Sequence, residues 1–411
     1  MSAATAHSTD SADPADDTRI ATPSPLVGWL AVISVMMGIF SIVTTEILPI
    51  GLLTLIGADF TVSDGMAGLM MTMPGFLAAV SAPLVTVATA RIDRRLMLCA
   101  FMLLLALADF LAAAAPSYEL VLVSRVLVGV TIGGFWSIGA GLADRLVPAE
   151  SVGRATAVIF SAVPLGSVLG VPVGTFIGDV AGWRTAFAVM GVLAVGVWIT
   201  MLLVLPTLPP RRVTRLRVLR TALKSVTTRF ALLTTFLIVL AHFGAYTYVT
   251  PFLEQVSHAG PGLVTVLLLT YGAAGIVGNF VGGATVARHP HATFAAAAGM
   301  LACATGLLPV LGRWHIGALA LLVVWGVAYG AVPVCSQAWF SQACPAAPEA
   351  ASVLFTASFQ ATISVGALVG GVVVDRTSPS TMMVLGSVTA VLMAVAVGIH
   401  IARRPTWSKN G

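Results

Sequence analysis

Residues 26–55 read LVGWLAVISVMMGIFSIVTTEILPIGLLTL, thirty residues with a single charge, Glu46. A hydrocarbon core about 30 Å thick is crossed by ~20 apolar residues in an α-helix, so this stretch is long enough to span a bilayer. Inside lipid, backbone groups must be bonded without water, which leaves helices and closed barrels, and no strand-like alternation is present. Working outward, similar runs recur at 65–88, 96–115, 120–142, 154–178 and 184–205. Six more lie at 230–252, 261–286, 293–311, 316–340, 351–374 and 380–402. Only 9% of the 411 residues are charged, against roughly 25% in soluble domains. That composition excludes a cytosolic enzyme, a disordered chain and a disulfide-stapled secreted domain. The sequence predicts an all-α polytopic membrane protein with twelve transmembrane helices.

The remaining charges orient it. If the spans alternate in direction, seventeen of the 21 Lys and Arg fall on the face that carries both termini and the central break. Arg184, Arg313 and Arg376 fall on the other face, and Arg125 lies within a span. This asymmetry places both termini in the cytoplasm of a multi-pass protein of the plasma (inner) membrane. Residues 1–25 hold Asp10, Asp13, Asp16 and Asp17 and no basic leader region, so they read as a disordered cytoplasmic tail rather than a signal peptide. Residues 26–205 and 229–402 are expected to form six-helix bundles, with a basic cytoplasmic linker at 206–228 and a tail at 403–411. In the linker, Val213, Leu216 and Leu219 alternate with arginines, which fits either an amphipathic helix on the membrane surface or a solvated tether. The net charge of +5 is too dispersed for a nucleic-acid footprint. Cys99, Cys303, Cys335 and Cys344 have no CxxC spacing and no nearby histidine to complete a zinc site.

The halves echo one another. Gly75, Val80, Ala90 and Arg91 match Gly272, Val277, Ala287 and Arg288 at a constant offset of 197 residues. The matches fall in and just after the second span of each half, as a parallel duplication would place them, and such repeats are typical of transporters. Two pseudo-symmetric bundles are therefore expected.

Several motifs narrow the reading. They are Thr45-Glu46-Ile47-Leu48-Pro49-Ile50-Gly51, Arg125 through Gly129 with Gly133-Gly134-Phe135-Trp136, and Leu169-Gly170-Val171-Pro172-Val173-Gly174 with Gly182-Trp183-Arg184. His242-Phe243-Gly244-Ala245-Tyr246-Thr247-Tyr248 before Pro251-Phe252 completes the set. Over nearly all of 26–402 the chain resembles the major facilitator superfamily, in particular its drug:proton antiporter branch of sugar, arabinose and purine ribonucleoside exporters and chloramphenicol-resistance proteins. The resemblance implies the major facilitator fold, efflux by proton antiport, and a central site lined mainly by spans 1, 4, 7 and 10. It also implies a conformational role for the loop between spans 2 and 3. That loop reads Ala90-Arg91-Ile92-Asp93-Arg94-Arg95 and lacks the family's usual glycines, which leaves Asp93 as the acid to take the relay role. Val128 stands where many of the wider family's antiporters carry glutamine.

Gly166, Gly170, Gly174 and Gly178 recur every four residues, giving a smooth face for close backbone approach, with Pro172 bending the helix within it. Such a face packs against a neighbouring helix and, by the resemblance, is a surface on which the halves rock. Gly278, Gly282 and Gly283, and Gly366, Gly370 and Gly371, suggest similar contacts in the second half.

Glu46, Asp109 and Arg125 are the charges that lie well inside spans. Intramembrane charges cost several kcal/mol (roughly 2.5–3.5 on insertion scales) and mark pathways or pairs. Asp109 and Arg125 flank the turn at 116–119 and sit roughly 9–11 Å below the outer boundary, so one hairpin can bring them together. They form either a structural pair or part of a proton path. Glu46 has no basic partner in its own helix, and Pro49 deprives the Thr45 carbonyl of its helical partner, opening polar backbone beside the carboxyl. Glu46 is the expected proton-coupling residue.

The second half offers His242 and Tyr246 on one helix face, Trp325 and Tyr329 on another, and the isolated amides Asn279 and Gln360. With Trp136 they form an expected substrate cavity, suited to a small, largely uncharged ligand. No metal, nucleotide or nucleophile-elbow motif is found, so an enzyme or an ATP-driven pump is not expected. The expected partners are a small-molecule substrate, protons and lipid; no cofactor is expected, the proton gradient supplies the energy, and the chain is expected to act as a monomer.

Overall fold

A computed structural model describes residues 25–88, 92–139, 142–209, 223–286, 288–343 and 348–403. Among the described residues, twelve helices are long and apolar enough to cross a membrane. In the first half they are α1 (Pro25–Phe60), α2 (Leu69–Ala88), α3 (Arg94–Ala113), α4 (Tyr118–Gly139), α5 (Val152–Ala181) and α6 (Trp183–Val204). In the second half they are α7 (Val226–Tyr246), α8 (Pro261–Val286), α9 (Pro290–Leu311), α10 (His315–Gly330), α11 (Pro348–Arg376) and α12 (Pro379–Arg403). One turn, Asp64–Ala67, precedes α2; α7 breaks and resumes as Val249–Gln255, and α10 resumes after Ala331 as Val332–Ala343. These breaks interrupt stretches that the hydropathy pattern reads as continuous. The sequence-derived boundaries otherwise fall within a few residues of the helices. Residues 1–24, 210–222 and 404–411, with the expected tails and most of the linker, lie outside the described residues, as does Arg91.

Packing repeats with the sequence. In the first half α1 lies on α5 and α6, α2 on α4, and α3 on α4 and α6. In the second half α7 lies on α11 and α12, α8 on α10, and α9 on α10 and α12, the same arrangement. The halves meet along α2 with α11 and along α5 with α8, again equivalent pairs. The two glycines of the 197-residue echo stand at these crossings. Gly75 of α2 lies against Ser364 and the Gln360 carbonyl of α11, and Gly272 of α8 lies against the Val168 backbone of α5. A β-carbon on Gly272 would come within 2.9 Å of Val168 Cα.

Each bundle has an apolar core, that of the second reaching Ile47, Ile50, Met71 and Val171 of the first half, and a third cluster joins Leu52, Met70, Tyr118 and Phe187 to Tyr248, Val374 and Met382 of the other half. This shared cluster lies at the face opposite the linker, hereafter the far face. Phe280, Val180 and Leu203 are more than 70% exposed on the perimeter, where lipid replaces water.

Candidate functional site

The three intramembrane charges gather near Pro49 within α1. Arg125, fully buried, donates from Nη1 to the Thr45 carbonyl at 2.9 Å, from Nη2 to the Glu46 carbonyl at 2.8 Å, and from Nε to the Met70 carbonyl at 3.0 Å. Pro49 and Pro74 remove the N–H groups that would otherwise bond Thr45 and Met70, so the guanidinium fills acceptors that two prolines leave open. Asp109 does not pair directly with Arg125. Its Oδ2 accepts from Thr45 Oγ1 at 3.1 Å, and Thr45 links the two charges. Asp109 Oδ1 and Glu46 Oε1 are buried without a hydrogen-bond partner among the described residues.

A cavity of about 370 Å³ lies between the halves. Of the residues expected there from sequence, Trp136, His242, Tyr246, Asn279, Tyr329 and Gln360 line it, and Glu46, expected to couple protons, lines it too. Trp325 stands behind the wall, fully buried, and donates from Nε1 to His242 Nδ1 at 3.1 Å. Asp109 and Arg125 lie outside the cavity wall, although Arg125 shares a helix with Trp136. Glu46 is the one acidic or basic side chain among the cavity-lining residues besides His242, and the Gln360 amide of the second half faces it. Tyr271 and Gln337 also line the cavity. Tyr271 lies eight residues from Asn279 on α8, a spacing that returns to the same helix face and could have disclosed it.

At the far face the halves are joined by side chains. Asp375 at the end of α11 accepts from Ser63 Oγ at 2.7 Å and from the Gly65 N–H at 2.8 Å, so a carboxylate of the second half sits at the N-terminal turn leading into α2. Thr54 donates to Glu254 at 3.2 Å, Gln255 to Asp64 at 3.1 Å, and Thr250 to the Ile50 carbonyl at 2.9 Å. Burial raises the Glu254 carboxyl above its ordinary value despite the bond from Thr54, with Asp64 and Asp179 adding to the rise. The sequence marks none of these residues, because charges near helix ends read as orientation signals. Gly182, with φ 84°, turns the chain between α5 and α6, and Arg184 pairs with Asp59 at 2.6 Å to fasten that turn to the end of α1.

Two of the motif features make their contacts within the first half. The stripe Gly166, Gly170, Gly174 faces Val43, Ile47 and Leu48 of α1, so it builds the first bundle and does not face the other half. On α5, Val168 meets Gly272 of the other half, and Pro172 leaves the Val168 carbonyl without a helical partner. Asp93 caps α3 by accepting from the Arg95 N–H at 2.8 Å, and also accepts from the Leu208 N–H at 3.0 Å. The Arg94 N–H returns a bond to the Leu208 carbonyl. Asp93 thus ties α3 to the chain after α6 within one half and makes no bond to the other half among the described residues.

The model of the Major Facilitator Superfamily matches residues 28–357. The transcription regulatory protein OpdE of Pseudomonas aeruginosa is 31% identical over 394 residues, covering 94% of this chain and 97% of that protein. The purine ribonucleoside efflux pump NepI of Salmonella typhimurium is 31% identical over 380 residues, covering 92% and 95%. A solved bacterial homolog to the human lysosomal transporter Spinster, in an inward-facing and unoccupied conformation, shares the fold. Its TM-score is 0.67 at 15% identity, over 92% of this chain and 96% of that one. The twelve helices, the repeated packing and the matched family model converge: the chain belongs to the Major Facilitator Superfamily and is a multi-pass membrane transporter, not an enzyme.

Proposed function

We propose that the protein exports a small, largely uncharged molecule of the drug, sugar or nucleoside class in exchange for protons, its halves rocking about the central cavity. The observation that carries this is Glu46, the one carboxyl in a cavity wall otherwise lined by aliphatic, aromatic and uncharged polar side chains together with His242. A group that gains or loses a proton in the substrate's own cavity couples the two ligands by mutual exclusion. Protonation favours release outward, and deprotonation toward the cytoplasm resets the carrier. Both termini face the cytoplasm, and a proton entering down 100 mV supplies ~2.3 kcal/mol. Nucleosides lead the candidate substrates because relatives of comparable length are named purine ribonucleoside efflux pumps.

The test is proton flux in everted membrane vesicles. Adding guanosine or inosine should release protons from an acidified lumen in the wild type and not in Glu46→Gln. Movement of protons in the same direction as the nucleoside identifies a symporter and defeats the proposal, as does undiminished exchange in Glu46→Gln.

A further inference from the structure

Five ring side chains of the second half pack into one block at the cavity. His242 stacks on Tyr329 with centroids 3.3 Å apart and planes 7° apart, and on Tyr246 at 4.9 Å. Tyr246 stacks on Tyr271 at 4.5 Å, and Trp325 stands edge-on to His242, Tyr246 and Tyr271. Four of these rings line the cavity, and Trp325 supports them from behind. The decisive contact is the indole Nε1–H, 3.1 Å from His242 Nδ1.

An indole N–H can only donate. His242 Nδ1 therefore accepts, and the single ring proton of the imidazole resides on Nε2. Nε2 has no protein partner among the described residues, and its ring lines the cavity. A second proton on Nδ1 would point at the indole N–H and break the bond. The titratable groups facing the ring are the hydroxyls of Tyr246 on its own helix, Tyr271 on α8 and Tyr329 on α10, with the Glu46 carboxyl on α1 in the same cavity. α11 contributes the Gln360 amide, and no lysine or arginine lines the cavity among the described residues.

We infer that Trp325 locks His242 as the Nε2–H tautomer, a fixed hydrogen-bond donor to the transported molecule. The substrate accordingly presents an acceptor there, the ring nitrogen or carbonyl of a neutral planar base. This rests on the cavity being the substrate site, and adds which group reads the ligand. Flat walls from both halves, Trp136 and Phe160 with Phe355 and Phe359, suit a planar ligand. Within the cavity, proton carriage then belongs to Glu46, and Trp325 is a positioning residue that never touches the substrate.

The test is ¹⁵N-imidazole NMR of the full chain in lipid nanodiscs, with H242Q assigning the signal, alongside binding of radiolabelled guanosine, adenosine and inosine. In the wild type the His242 signal should show one bare and one protonated nitrogen, unchanged from about pH 5.5 to about pH 8. In W325F the same signal should titrate. Guanosine affinity should fall roughly tenfold in W325F and H242F, and recover in large part in H242Q, whose amide N–H can stand in for Nε2–H. A wild-type His242 that is protonated on Nδ1 or titrates in this range overturns the inference, and this result needs no variant to fold. W325F that binds guanosine as tightly as the wild type also overturns it. If the wild type binds none of the nucleosides, the substrate class fails, while the tautomer is still decided by the spectrum.

Discussion

Arg125 on α4 donates to the Thr45 carbonyl on α1 at 2.9 Å, the acceptor that Pro49 leaves without a helical partner. The same guanidinium serves the Met70 carbonyl, which Pro74 leaves free on α2. One buried cation thus holds three helices at the depth where Glu46 enters the cavity. It does so through backbone acceptors, which explains how it can be fully buried with no carboxylate in contact among the described residues.

Arg125→Met should strand both freed carbonyls, at a cost of ~1–3 kcal/mol each. Pro49→Ala restores an N–H for Thr45, so it should be milder in the Arg125→Met background than in the wild type. The coupling should exceed about 0.5 kcal/mol. Thermal unfolding of the purified variants, followed by intrinsic fluorescence, measures it; strictly additive effects would refute the assignment.

Gly75 and Gly272 should be intolerant of size for a different reason than Gly170. The first two stand where the halves cross, and a valine at Gly272 must displace Val168 backbone that a β-carbon already meets at 2.9 Å. Overpacking of this kind costs ~1–3 kcal/mol. G75V and G272V should assemble in the membrane yet lose most efflux, because closing at the far face needs these crossings. G170V, wedged between α5 and α1 of one bundle, should instead lower stability and yield. G153A, with open space around it, is the neutral control. Efflux rate per folded protein separates the two outcomes.

Asp375→Asn should loosen the far-face seal. The carboxylate accepts from Ser63 and from the Gly65 N–H, and bonds to a charged acceptor contribute roughly 1.5–3 kcal/mol when buried, less where water reaches them. A cysteine placed at Thr247, which is fully buried, reports the opening in a background lacking the native cysteines. Its labelling by a membrane-impermeant thiol reagent from the far side should quicken about three- to tenfold in D375N. Unchanged labelling would show that the apolar cluster around Leu52, Met70 and Tyr248 closes this face unaided.

Much of this was legible in the sequence because it is encoded by hydropathy and by proline. The spans follow from apolar length, the open Thr45 carbonyl follows from Pro49 four residues on, and the pairs His242–Tyr246 and Trp325–Tyr329 follow from helical spacing. The 197-residue echo carried more than a hint of duplication, since its two glycines became the two crossings between halves. What stayed hidden depends on which surfaces meet. A stripe of glycines announces close packing without naming its partner, and here the partner was α1 of the same bundle. Arg125 acts on backbone carbonyls, which no residue type labels. Asp375 meets Ser63 across 312 residues, a relation that no local pattern records.

Glu254 gives the far-face seal a pH response whose sign follows from its burial. Its carboxyl is desolvated between the halves, with Thr54 donating to it and with Asp64 and Asp179 nearby, and its pKa is raised. When the halves part at this face the group meets water and returns toward its ordinary value of 4.5. The closed form therefore binds the proton more tightly. Its advantage is complete below the ordinary value and is lost as pH rises through the raised one. Acidifying the far side from about pH 7.5 to about pH 5 should slow labelling of the Thr247 cysteine reporter, measured relative to a free thiol at the same pH to remove the loss of thiolate, by up to about tenfold per unit of pKa difference. Glu254→Gln, which mimics the protonated group, should hold labelling slow at every pH and flatten most of the dependence. A pH response that survives undiminished in E254Q would place the sensing group elsewhere. Acceleration on acidification would reverse the sign and show that Glu254 is more solvated closed than open.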